Sequence, residues 1–425
     1  MMTVVDHLNF PTSLAFDGEG SLYVAESGLP LDGLAPGGRV WRIAPGGART
    51  CLIEGLRPPV TGLVYHEGGF YLSEGGNPGR ISRLSSGGIR TTILDGLPGF
   101  GNYHTNTVAV GPDGKLYFGQ GALTNSGVLG LDSLELAWLG RLPHDPDVPG
   151  YPIRLTGWHA EIADANGWCP TSPARTSAFS PFGHRVPAGH TMPPAVPCTA
   201  SVMRCNPDGS GLELVAWGIR NAFGLGFLGD GRLLATDQGP DERGSRPIAG
   251  APDLLWEIKP GRWYGWPDFV GGVPVTDPRF VPSNGVAQQF VVANHDELPL
   301  PEQPLLAFPV NASATKFDVV PEGAAGRHGH LLVALFGDEK PMTAGAGARA
   351  GRALAWVNPQ DWCCEIFAEG QFARPIDVRF APGSGELYVL DFGEFEMGPA
   401  GQVFARAGSG KVATISIREE QSLWP

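Results

Sequence analysis

Four stretches of this chain put reactive side chains next to glycine at the ends of short apolar runs. His104 opens HTNTVAVGPDGKLYFGQG, Arg220 and Asn221 open RNAFGLGFLGDGRLLATDQG, and Arg374 opens RPIDVRFAPGSGELYVLDFG. An imidazole, titrating ordinarily near ~6.5, is the side chain best suited to take a proton near neutrality. Arg220 and Arg374 carry forks that match carboxylates. The loop DQGPDERG, Asp237 to Gly244, offers carboxylates such as Asp237 and Asp241, and carbonyls, to a cation such as Ca²⁺, which takes about 6–8 oxygens. Each residue also has a structural reading. A histidine at a strand start can be a hydrogen-bonded support, acids beside glycine can bind backbone N–H groups, and Arg220 can tie the chain across a channel.

The elements that must carry these residues repeat. Six segments share one plan: an apolar strand, a Gly-rich turn, and a second strand ending in a polar residue near glycine. They start at Thr12, Val60, His104, Arg220, Ala314 and Arg374. Turn cores such as PDG, GDG and HEGG are hairpin chemistry, because Gly and Asp tolerate positive φ. Most lead into a second hairpin, as at Gly38, Gly79, Ala200 and Arg352. Four antiparallel strands repeated six times predict an all-β, six-bladed β-propeller as a single domain over residues 1–425. Residues 2–8, MTVVDHL, look like an outer strand with no inner strands before them. The sixth unit ends at KVATISI without an outer strand. The N-terminal strand should therefore complete the C-terminal blade. Two stretches break the pattern: 128–199 reads as an irregular insertion in the third blade, and 260–312 as an irregular excursion after the fourth. Long loops on a rigid scaffold are frequent sites of function.

The innermost strand of each blade lines the channel and the next runs back, so first-strand starts and second-strand ends emerge on one face. That face gathers His104, Asn106, Arg220, Asn221 and Arg374 with the strand-end acids and amide Glu26, Glu74, Gln120, Asp237 and Asp391; Lys316 and Asp338 lie near it. A histidine, several cations and a broken ring of carboxylates suit a hard cation beside an anionic organic ligand.

Composition narrows the field. Gly 62 and Pro 40 among 425 residues exclude a long-helix protein. A hydrophobic share of 42% excludes disorder. A net charge of −13 argues against nucleic acid as a partner. No apolar stretch of ~18 residues occurs, so membrane insertion is not expected. The N-terminal residues lack a basic, then apolar, signal pattern; this predicts a cytoplasmic protein if the chain is full length and a periplasmic or secreted one if it is trimmed. The six cysteines show no zinc spacing. They read as buried or free thiols, with a Cys198–Cys205 disulfide as the alternative.

At His104, Arg220–Asn221 and Asp237–Gln238–Gly239–Pro240, with the later YGWPDF, the sequence resembles the soluble PQQ-dependent sugar dehydrogenases, a group of six-bladed propellers. The Arg–Asn, Gly-rich turn and Gln–Gly–Pro series followed by YGWP carries most of the specificity. The resemblance implies that His104 takes the proton of a substrate hydroxyl while hydride passes to the quinone. It implies Ca²⁺ on the carbonyls of Gly239 and Pro240, and PQQ held by Arg220, Asn221, Gln238 and Arg374. The family's second cofactor arginine corresponds to Ile376, and Lys340 is the nearest substitute for its cofactor lysine. The expected function is therefore a Ca²⁺- and PQQ-dependent oxidation of a sugar or related alcohol, passing electrons to an acceptor. A metal-dependent lactonase of the gluconolactonase type and a cofactor-free binding platform are the alternatives.

Overall fold

The computed structural model describes the chain except for residues 77, 100, 131, 134–143, 163–172, 323–326, 340, 344–348, 399–400 and 417–425. It is a six-bladed β-propeller. The first blade pairs Pro11–Phe16, Leu22–Glu26, Gly38–Ile43 and Arg49–Leu56 in antiparallel order. The sixth takes three strands from the C-terminal region, Pro375–Phe380, Leu387–Asp391 and Gly410–Ile415. Its outer strand is Met2–Leu8, which runs antiparallel to Gly410–Ile415 with Met2 opposite Thr414 and Leu8 opposite Gly410. The ring is closed by the N-terminal strand, as the missing outer strand implied.

The burial pattern explains why the repeat was readable. The second strands LYVAE, LYFGQ, LLATD and LLVAL are buried at every position, since each has a neighbouring blade on both faces. They accordingly read as continuous apolar runs rather than alternating ones. Outer strands such as Arg90–Leu97 are largely exposed and polar. Six hydrophobic clusters fill the six seams between blades. One joins Leu14, Leu22 and Val24 of the first blade to Leu390, Phe392 and Val412 of the last, with Val5 and Leu8 of the closing strand beside them.

No backbone ladder links one innermost strand to the next, so side chains make the ties around the axis. Thr12 Oγ1 donates to Val60 O at 2.6 Å and Thr107 Oγ1 to Phe223 O at 2.6 Å. The Asp377 carboxylate accepts from Leu14 N at 2.8 Å and that of Asp318 from Phe380 N at 2.8 Å. Glycine permits this closeness. A Cβ on Gly224 would fall 2.4 Å from Thr315 O.

Residues between Gln120 and Ser201 run between the second and third strands of the third blade. The segment 260–312 is less irregular than its sequence suggests. Arg262–Trp263 adds a parallel edge to Glu213–Trp217, and Leu306–Val310 is the outer strand of the fourth blade. Pro309 and the short edge position concealed that strand's pattern. Both segments are anchored by a buried ion pair, Arg246 to Asp268 at 2.5 Å, whose arginine also donates to Ser126 O and Gln289 O. Cys198 and Cys205 are both free and buried, so the alternative disulfide is not formed. Cys169 lies outside the described residues.

Candidate active site

The face that collects first-strand starts and second-strand ends opens into a cavity of about 840 Å³ on the propeller axis. His104, Asn106, Arg220, Asn221, Gln238, Gly239 and Asp241 line it. Asp237 and Arg374 stand behind the wall, and Lys340 lies outside the described residues.

His104 precedes the innermost strand of the third blade, Thr105–Val110. Its backbone carbonyl accepts from Gly121 N at 2.9 Å. Gly75 and Gly121 leave no room around it: a Cβ on Gly75 would sit 2.6 Å from His104 Cβ, and one on Gly121 3.1 Å from His104 N. His104 Nδ1 lies 3.0 Å from Gly99 O. A carbonyl can only accept, so Nδ1 carries the proton and Nε2 keeps its lone pair. Burial pulls the imidazole below its ordinary value of 6.5, with the Gly99 hydrogen bond working weakly the other way. A neutral histidine with Nε2 unprotonated is the form a base requires.

The floor is a relay of amides crossing three blades. Asn106 Nδ2 donates to Asn221 Oδ1, Asn221 Nδ2 to Gln238 Oε1, and Gln238 Nε2 to Ser313 Oγ, at 2.7, 2.7 and 2.8 Å. Below it, the buried Lys316 reaches from the fifth blade to Thr12 O at 2.7 Å, and desolvation lowers its pKa to about 8.

The arginines behave differently from the sequence expectation. Arg220 is 2% exposed and spends all five N–H donors on the protein. Nε goes to Asn125 O, Nη1 to Gln238 O and Gly239 O, and Nη2 to Asn125 Oδ1 and Asp241 Oδ2, between 2.6 and 3.0 Å. Arg374 is 1% exposed. It donates to Phe395 O, Gly337 O, Asp338 O and the Glu396 carboxylate. Both are ties between loops, the structural reading noted above for Arg220.

Most of the strand-end acids are ties as well, and they share a motif. The carboxylate closing a second strand accepts the backbone N–H of the segment entering the same blade. Glu26 takes Asn9 N, Glu74 takes Arg57 N, Asp237 takes Asn221 N, and Asp391 takes Arg374 N, at 2.7–2.8 Å. Asp237 also accepts from Trp256 Nε1 at 3.1 Å, which occupies its second oxygen, and burial raises its pKa to about 6. Asp241 binds Arg220 and Arg243, and Tyr103 OH lies 3.4 Å away. Among the described residues no group of three or more His, Cys, Asp or Glu side chains is arranged to hold a metal ion.

Sequence reasoning missed two sets of residues. Asn125 is the hub of the Arg220 loop: it accepts from Asp241 N at 2.9 Å and donates to Asp241 O at 2.8 Å. Nothing in its local sequence distinguishes it. On the opposite wall stand Glu339, Met342 and Thr343 with Phe336, Phe392 and Phe395. The signal there is a repeated Phe-Gly-acid step after a second strand, in Phe336–Asp338 and Phe392–Glu394.

No family model matches the chain, and no curated protein matches it in sequence. Solved structures do. The PQQ-bound aldose sugar dehydrogenase of Streptomyces coelicolor aligns over 97% of this chain and 96% of its own, with 18% identity and a TM-score of 0.57. A putative glucose dehydrogenase from Thermus thermophilus gives 97% and 98%, 19% identity and 0.56. The apo aldose sugar dehydrogenase of Escherichia coli gives 98% and 99%, 14% identity and 0.55. At these identities the likeness is one of fold: the chain has the six-bladed architecture of the soluble PQQ-dependent sugar dehydrogenases.

Proposed function

We propose that this chain is an oxidoreductase acting on a sugar or related small alcohol in the axial cavity, with His104 as the base. The observation that carries the reading is the His104–Gly99 hydrogen bond, which leaves Nε2 as the unprotonated nitrogen of a residue lining the cavity. Nε2 takes the hydroxyl proton as the carbon gives up hydride to an organic two-electron acceptor, and the alcohol becomes a carbonyl. The Asn106–Asn221–Gln238 relay ties the floor together across the blades.

PQQ is the acceptor that the likeness to the Streptomyces enzyme favours, and the side chains allow its fit to be tested. It carries three carboxylates and needs cationic donors to replace their hydration. Asn221, Gln238 and His104 could meet its uncharged edge. Arg220 has no donor left, Arg374 is turned to carbonyls and Glu396, Arg243 is held by Asp241, Asp132 and Tyr103, and Ile376 offers none. Calcium fares no better, because among the described residues no group of three or more acidic, histidine or cysteine side chains is arranged to hold it, and Gly239 O and both oxygens of Asp237 already serve the protein. The residues do not fit PQQ with calcium as arranged, and the proton step rests on His104 alone.

The test is dye-linked oxidation of a panel of aldoses and polyols by the purified chain, with a phenazinium dye as terminal acceptor, with and without added PQQ and Ca²⁺. Sugar-dependent dye reduction is expected, with His104→Ala slower by about 10²–10⁴-fold. Absence of turnover under every condition, or full activity in His104→Ala, would contradict the proposal.

A further inference from the structure

The charges around the cavity are unequally spent. Of the carboxylates that line it, Asp241 is shared by Arg220 and Arg243. Asp253 accepts Gly239 N and Ala314 N, and Asp338 accepts Arg349 and Ala350 N. Glu339 lines the same cavity, and its carboxylate makes no hydrogen bond or ion pair among the described residues. Two cations that act on it among the described residues, Arg374 and Arg243, are held by Glu396, Asp241 and Asp132. Burial raises its pKa, which is the cost of a carboxylate with no partner.

A second group on this wall is also unpaired. Thr343 is 8% exposed, and its Oγ1 is buried with no partner among the described residues. Thr343 N donates to Glu339 O at 3.3 Å and Met342 N to the same oxygen at 2.9 Å. The two side chains are therefore one turn apart. A buried polar atom left unpaired is costly. Beside them three rings form a cluster, with Phe336 and Phe392 at 5.5 Å and Phe392 and Phe395 at 5.7 Å. Arg374 fixes this arrangement, because it holds Phe395 O, Gly337 O and Asp338 O together at 2.7–3.0 Å.

We infer that the axial cavity is built for a ligand bearing an ammonium group, an amino sugar or amino polyol, with Glu339 as its counter-charge and the Phe336–Phe392–Phe395 cluster as its apolar wall. An ammonium gains from a carboxylate and from aromatic faces together. A polycarboxylate meets the opposite: an open negative charge, with Arg220 fully spent and Arg374 and Arg243 already bound to carboxylates of the protein. The assignment of this ligand as substrate rests on the oxidoreductase reading; the binding preference does not.

Three polyols of one length separate the charges: glucamine (ammonium), sorbitol (neutral) and gluconate (carboxylate), titrated calorimetrically into the intact chain at neutral pH. Glucamine should bind about tenfold or more tightly than sorbitol, as a charge-assisted hydrogen bond provides, and gluconate more weakly than sorbitol. Glu339→Gln should remove the advantage of glucamine and leave the order of sorbitol over gluconate in place. A flat or inverted order, no binding of any of the three, or a glucamine preference that survives Glu339→Gln overturns the inference. PQQ in the same titration should not bind at micromolar concentration. Tight PQQ binding would overturn the inference while leaving the oxidoreductase reading intact; a glucamine preference without turnover would do the reverse.

Discussion

The two walls of the axial cavity are built on opposite principles. On the side of the third and fourth blades, Arg220, Asn125, Asp241 and Arg243 satisfy one another, with Tyr103 accepting from Arg243 Nη2 at 3.1 Å. On the side of the fifth and sixth blades, Glu339 lines the cavity with its carboxylate unpaired among the described residues. The first wall has the character of a scaffold, since a satisfied buried network gains rigidity and has nothing left for a ligand. The second has the character of a binding surface. His104 stands between these regimes, with one nitrogen tied to Gly99 and the other open.

The comparison breaks most readily at Asp241. Replacing it by Ala leaves Arg220 without a carboxylate and Arg243 with Asp132 alone, and removing one partner of a buried pair costs about 3–5 kcal/mol. Urea denaturation should show that loss, whereas Glu339→Gln should change stability by less than about 0.5 kcal/mol. Equal effects at the two positions would erase the distinction between the walls. At Gly75 the added methyl of Gly75→Ala collides with His104 Cβ. A displacement of about 1 Å can cost ~10²-fold in rate, so kcat should fall by that order while the fold is retained; unchanged kcat would mean His104 needs no such positioning.

A smaller effect follows from carboxylates that burial keeps protonated. Asp253 is raised to about 7 and Asp237 to about 6, in both cases chiefly by desolvation. In the unfolded chain both would titrate near their ordinary 3.8. Between those values the folded state holds more protons, so their contribution to stability is present in acid and lost as pH rises through about 6–7. Urea midpoints should be lower at pH 8 than at pH 5; a rise would contradict the assignment. His104 moves the other way. Its depressed pKa keeps it neutral below 6.5, so the acid limb of the rate profile should lie under that value. A limb above it would exclude His104 as the base.

The fold was legible because its signal is repeated and local. Hairpins recurring six times, apolar second strands and an unpaired first strand specify a closed ring without any long-range information. His104 was legible for the same reason, since the start of an innermost strand has a known position on the face. The roles of Arg220, Arg374 and Asp237 were not. Whether an arginine is free or spent depends on Asn125, Asp241 and Glu396, which reach it through folding and leave no trace in local spacing. Glu339 was passed over because it stands beyond its strand end, where Asp338 already filled the expected place.

The most direct measurement is a crystal structure of the chain with a polyol in the axial cavity. The account predicts a ligand hydroxyl within about 2.6–3.2 Å of His104 Nε2, with Nδ1 still on Gly99 O and Arg220 still on Asp241. A ligand bound away from His104, or an Arg220 released from Asp241 to hold it, would contradict the account.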